Sequence, residues 1–108
     1  MYEKIDFILE MIENIENIIK RHNGIVKALE DFEGQMAIFM GLAQIGEVLN
    51  RLPKDFIIEN NLQEEKNGAY YTRNYIVHDY EGVDLLIVER ILRYSLPELK
   101  NKLLKAKK

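Results

Sequence analysis

The chain has 108 residues, 47% of them hydrophobic and 31% charged, and a net charge of −3, the balance of a globular protein and not of a disordered one. That length supports one hydrophobic core, so residues 1–108 read as a single domain, and with no signal-peptide pattern and no apolar run of the roughly 18–20 residues a membrane helix needs, the expected address is cytoplasmic, away from any membrane. Cysteine is absent and the two histidines lie far apart, which excludes disulfides and thiolate sites and disfavours zinc; no metal or cofactor is expected, and any catalysis must run on His, Arg, carboxylates, Tyr and amides.

From Tyr2 to about Arg21, the residues Ile5, Ile8, Ile12, Ile15 and Ile19 recur at spacings of three and four, the pattern of an amphipathic helix. Phe7, Met11 and Ile18 add a second apolar flank, so this helix is expected to touch two neighbours. His22-Asn23-Gly24 reads as its stop, with Gly24 suited to the left-handed cap.

A second helix is expected to begin between Leu29 and Asp31 and to end at Leu52, before Pro53. Its buried candidates include Phe32, Met36, Phe39, Ala43, Val48 and Leu52. The stretch Met36-Ala37-Ile38-Phe39-Met40-Gly41-Leu42-Ala43 carries no charge. On a small monomer that would expose too much apolar surface, and a homodimer would cover the second face. Gly41 and Gly46 lower helix stability but let another backbone come close.

Residues 53–68 read as a polar connector with one short helical turn, and a third helix is predicted over Ala69 to His78. Tyr80-Glu81-Gly82 turns the chain into a fourth helix from about Val83, with Leu85, Leu86, Val88, Ile91, Leu92 and Leu96 as its apolar positions. Ser95-Leu96-Pro97-Glu98 has capping-box spacing with proline near the first helical position, so the helix kinks or restarts there. No strand-like alternation occurs, and the fold class is all-α, an antiparallel bundle of about four to five helices.

Charge is unevenly spread. Lys100, Lys102, Lys105, Lys107 and Lys108 hold five of the fifteen basic residues, leaving residues 1–99 at −8. Such a body opposes broad nucleic-acid binding, so any RNA contact must be local. The lysines themselves read either as a phosphate contact or as a solvated helix end, where cations suit the dipole.

Chemistry concentrates in Arg73-Asn74-Tyr75-Ile76-Val77-His78-Asp79-Tyr80. Arginine stays charged and offers a fork of donors that fits phosphate oxygens, and imidazole can take and give a proton near neutrality. On an ideal helix Arg73 and His78 point about 140° apart. Either the helix ends before His78 and a turn swings it back, or the site combines two subunits across a two-fold axis.

The reaction open to such a group without a metal is RNA cleavage. His78 would remove the ribose 2′-hydroxyl proton, the oxygen would attack phosphorus, and Arg73 would stabilise the added negative charge, leaving a 2′,3′-cyclic phosphate. Asn74 could hold a phosphate oxygen or fix the imidazole tautomer, and Asp79 or Tyr80 could orient or replace a proton donor. Taken singly these residues also have plain structural readings: a surface arginine, Tyr75 and Ile76 in the core, and Asp79 capping the next turn.

The spacing Arg73-Asn74 … His78 … Tyr80 resembles the signature of HEPN domains, specifically HepT-type toxins. The resemblance extends to Ala37-Ile38-Phe39-Met40-Gly41-Leu42-Ala43-Gln44-Ile45-Gly46-Glu47, to Tyr80-Glu81-Gly82-Val83-Asp84, and to Leu96-Pro97-Glu98-Leu99, and so covers essentially the whole chain. It implies a helical homodimer acting on RNA as a metal-independent endoribonuclease toxin, with Arg73, His78 and Asn74 in an intersubunit cleft and Asp79 in support. It also implies a partner antitoxin, a minimal nucleotidyltransferase of the MntA type, that attaches AMP to Tyr80. Adding nucleotides there would place bulk and negative charge beside Arg73 and His78. The chain departs from many relatives in lacking tryptophan, with Tyr70-Tyr71 before the arginine. Glu47 reads either as a cleft residue or as an exposed helical acid. A competing reading is a non-catalytic helical dimer that binds a partner nucleotidyltransferase or its nucleotide.

Overall fold

A computed structural model describes residues 2–107, and among these there is no strand, so the protein is all-α. The elements are α1 (Tyr2–Arg21), α2 (Ile25–Glu30), α3 (Phe32–Asn50), α4 (Lys54–Glu59), α5 (Gln63–His78), a 3₁₀ turn (Tyr80–Gly82), α6 (Leu85–Arg90), a π-helical turn (Ile91–Ser95) and α7 (Leu96–Ala106). Long helices at α1, α3, α5 and the α6–α7 run match the expected four, and the short α2 and α4 join them.

Helix α1 buries Ile5, Ile8, Ile12 and Ile15, with Phe7, Met11 and Ile18 packed at the edge of the same core. It lies against α3 and also meets α2 and α7, as its two apolar flanks require. At its end the left-handed residue is Asn23 (φ 63°), while Gly24 adopts φ 142°. Gly24 N–H donates to Ile19 and Asn23 N–H to Lys20, a Schellman closure with asparagine in the position expected of glycine. Asn61 closes α4 in the same way, at φ 55°.

Three further expectations change. Helix α5 starts at Gln63, six residues before the predicted start, and its polar first half is held from outside: Lys102 donates to Glu65 at 2.8 Å. The fourth helix begins at Leu85 behind Asp84, whose side chain accepts from Leu86 N–H at 2.9 Å. Ser95 forms no cap, because it is itself helical. The chain widens into a π turn in which Leu96 N–H reaches back to Ile91 O, and it passes Pro97 without a restart. A π turn is a recognised way of accommodating a misfit in a helix.

Helices α3 and α5 form the central pair. A Cβ on Gly46 would stand 2.4 Å from the Ala69 carbonyl oxygen and 2.7 Å from Arg73 Cβ, so glycine is what permits this crossing. Gly41 has a different neighbour, the tip of the Ile15 side chain at 2.9 Å from the Cβ position, and not another backbone. Because residue 46 of α3 meets 69 and 73, while Phe39 meets Tyr80, the two helices run antiparallel.

The C-terminal lysines are largely committed to structure. Lys100 pairs with Glu16 at 2.9 Å, Lys102 with Glu65 at 2.8 Å, and Lys107 with Asp6. They tie α7 to α1 and α5, a role that neither the phosphate contact nor the solvated helix end anticipated; Lys105 is exposed, and Lys108 lies outside the described residues. The hydrogen bond to Glu65 raises the Lys102 pKa above its ordinary value.

Asp31 caps α3, accepting from Gly34 N–H at 2.8 Å, with His22 at 3.2 Å on the same oxygen. Donation from Gly34 is the main cause holding its carboxyl below the ordinary carboxylate value. A depressed carboxylate contributes stability above its unfolded pKa of about 4 and loses it as pH falls through the folded value. Asp31→Asn is therefore expected to flatten the stability loss below about pH 4, read as denaturant midpoint against pH.

Candidate functional site

Helix α5 delivers the motif. It runs without a break through His78, and Asp79 ends it by donating its N–H to Tyr75 O. This removes the option in which the helix stops early and swings His78 back: within one subunit Arg73 and His78 keep the roughly 140° separation of a straight helix. His78 is exposed and makes no side-chain hydrogen bond among the described residues.

Arg73 is held on several sides. Its Nε lies 3.2 Å from Glu47 Oε2 as an ion pair, its NH1 donates to Asn74 Oδ1 at 2.8 Å, and its carbon sits 5.7 Å from the centre of the Tyr70 ring. Asn74 thus holds the guanidinium, an arrangement different from both roles expected for it. The arginine can present donors to an anion from a fixed orientation.

Beyond His78 the chain turns back through the 3₁₀ segment. The Tyr75 hydroxyl accepts from Asp84 N–H at 2.8 Å and pins the far end of this turn; the ring is half-buried, so its part is to fix the loop as well as to fill space. Asp79 forms no side-chain cap. Its carboxylate instead packs over Gly82, Oδ1 being 2.7 Å from where a Cβ would stand. Tyr80 places its ring edge-on to Phe39, centres 5.4 Å apart, while remaining 43% exposed.

Arg73, Glu47 and Tyr80 line one groove of about 550 Å³ with Phe32, Met36, Met40 and Val77. Phe32 and Met36, expected to be buried, are 73% and 45% exposed, and Met40 is 61% exposed. The charge-free face of α3 thus stands open in the single chain, beside the arginine. Leu86, one of the apolar positions of the fourth helix, is also exposed. A second cavity of about 390 Å³ lies across the α3–α5 pair, lined by Leu42, Glu65, Thr72 and Ser95 among others, and holds none of the motif residues. No three His, Asp or Glu residues among those described are grouped to hold a metal ion, and no described helix is long and apolar enough to cross a membrane.

The motif residues are therefore divided. Arg73 and Tyr80 line the groove with Glu47, Asn74 and Tyr70 contact Arg73, and His78 and Asp79 stand exposed at the end of α5. Tyr70 and Tyr75 escaped the sequence reading as site residues, and Glu47 was left open. The available signal was Gly46-Glu47 itself, a small residue and an acid side by side after a charge-free stretch.

A family model described as HepT-like, Ribonuclease HepT-like, matches residues 8–106. A Methanocaldococcus jannaschii protein provisionally named as an RNase is 30% identical over 93 residues, covering 84% of this chain and 76% of the relative. No solved structure matches the chain significantly. With the match spanning nearly its whole length, and with the helix order and motif expected of such a domain, the chain belongs to the HepT-like ribonuclease family.

Proposed function

We propose that the protein is a metal-independent endoribonuclease of a toxin–antitoxin pair, acting as a homodimer whose cleft uses both subunits. The observation that carries this reading is the continuity of α5 through His78. One subunit separates its arginine from its histidine around the helix, and a two-fold axis is the simple way to bring an Arg73 and a His78 together. The open apolar groove beside Arg73 supports the same axis, because Phe32, Met36 and Met40 would be covered by a second copy.

In this cleft His78 takes the proton of the ribose 2′-hydroxyl, and the freed oxygen attacks the adjacent phosphorus. Arg73 stabilises the charge that builds on the phosphate oxygens, and Asn74 acts through Arg73 by holding its NH1. The bond from phosphorus to the 5′-oxygen breaks, that oxygen takes up a proton, and the cleaved end keeps a 2′,3′-cyclic phosphate. Tyr80, exposed at the rim, is the site at which a minimal nucleotidyltransferase antitoxin adds AMP. Asp79 supports the turn that presents it.

Purified protein is expected to cut single-stranded RNA in EDTA and to leave cyclic-phosphate termini, read by mass spectrometry of the products. Co-expression with the antitoxin is expected to add one or more AMP masses to the intact chain, lost in Tyr80→Phe. Binding of the nucleotidyltransferase without any RNA turnover would instead support the non-catalytic dimer, a reading favoured by the −8 charge of residues 1–99 and by the pairing of Lys100, Lys102 and Lys107 with acids.

A further inference from the structure

Gly46 and Glu47 are neighbours on α3 and act on the same residue of α5. Because Gly46 has no side chain, Arg73 Cβ can come within 2.7 Å of the position a Cβ would take. One residue on, Glu47 Oε2 lies 3.2 Å from Arg73 Nε. The guanidinium then has Glu47 on its Nε edge, Asn74 on NH1 and the Tyr70 ring nearby. The NH2 group makes no hydrogen bond among the described residues, and its donors remain for an anion.

A carboxylate in this place has two opposed effects. It fixes the plane of a side chain whose donors are useful only when aimed. It also sets a negative charge beside the donors that a phosphate must reach, where like charge disfavours binding. The pair is only half-buried, with 38% of Glu47 and 29% of Arg73 side-chain surface exposed. A pair so exposed adds little to stability, so its main consequence is for what Arg73 binds.

We propose that Glu47 is a positioning residue for RNA cleavage: it aims Arg73 and restrains the arginine from taking phosphates that do not also engage the rest of the cleft. This rests on the reading of the two-subunit cleft at Arg73 as an RNA-phosphate site. Glu47→Gln keeps the shape and an acceptor oxygen but removes the charge, whereas Glu47→Ala removes both.

The test uses two single-stranded oligoribonucleotides of one sequence. A 2′-O-methyl version lacks the attacking hydroxyl and reports binding; the unmodified version reports single-turnover cleavage. Glu47→Gln is expected to bind the methylated RNA about fivefold more tightly and to cleave at saturation about tenfold more slowly, and Glu47→Ala about a hundredfold more slowly. In Glu47→Gln/Arg73→Ala the tighter binding is expected to vanish.

A glutamate that merely supports the fold would weaken binding and rate together and lower the melting temperature, which would overturn the proposal. So would tighter binding that survives loss of Arg73, because the effect would not run through the arginine. If the wild-type protein cuts no RNA, the ribonuclease reading falls on its own. The binding arm then still decides between a Glu47 that restrains Arg73 and one that does not.

Discussion

Replacing His78 by alanine is expected to slow RNA cleavage by a factor of about 10² to 10⁴, the range typical of a lost general acid or base. Arg73→Ala is expected to cost about 10² to 10³ through the loss of charge stabilisation at the phosphate. Both variants should keep the wild-type melting temperature, because His78 is exposed without a hydrogen-bond partner among the described residues, and Arg73 contributes only a half-exposed ion pair, a contact to its sequence neighbour and the Tyr70 ring. Arg73→Lys should not restore the rate. An ammonium supplies the charge but lacks the fixed fork of donors that Glu47 and Asn74 hold in place. Cleavage that survives in both alanine variants would remove the mechanism.

The second large effect is on the fold. Gly46→Ala is expected to destabilise the protein by about 1–3 kcal/mol, as overpacking typically does. The added methyl would stand 2.4 Å from the Ala69 carbonyl oxygen, which is backbone and cannot rotate away, so α3 and α5 must separate. That separation also moves Glu47 from Arg73, and the RNA-cleavage rate should fall beyond what the unfolded fraction explains. Gly68→Ala is the matched control. It lies inside α5 with nothing within 4 Å of the added Cβ, so the gain in helix propensity should raise stability by about 0.5–1 kcal/mol. Denaturant midpoints of the two variants moving in opposite directions would confirm that the glycines differ by surroundings and not by helix propensity.

The parts of the fold that were legible in the sequence are those where a local signal and a tertiary demand agree. Ile5, Ile8, Ile12 and Ile15 are an apolar stripe in the sequence and a buried stripe in the structure. Pro53 keeps α3 from running on into α4, although α3 ends at Asn50, two residues before the expected Leu52. The first half of α5 was not legible, because Gln63, Glu64, Glu65, Lys66 and Asn67 carry no apolar period; their helix is held by Lys102, a residue 37 positions from its partner Glu65. The restart expected at Pro97 does not form, for a related reason. A capping box and a π turn are alternative answers to the same proline, and with the π turn both Leu92 and Leu96 are buried in the core.

For the site, the residue types were legible and their arrangement was not. Arg73, His78 and Tyr80 could be named from chemistry and from the family signature, but Glu47 acquires a role only once Gly46 is known to touch α5. Phe32 and Met36 illustrate the converse. The sequence marks them as apolar, and a helical period assigns them to a core; the single chain instead leaves them exposed beside the arginine. That mismatch is the structural argument for the proposed two-subunit cleft.

Mixing the two inactive homodimers, Arg73→Ala and His78→Ala, tests the cleft most directly. After subunit exchange, confirmed by native mass spectrometry, half of the dimers are mixed, and each holds one intact Arg73 and one intact His78 on opposite subunits. A cleft built across the two-fold axis regains about one quarter of wild-type RNA cleavage, because half of the dimers each recover one of two sites. Mixed dimers that form but stay inactive would place Arg73 and His78 of a working site on the same subunit, and would contradict the account.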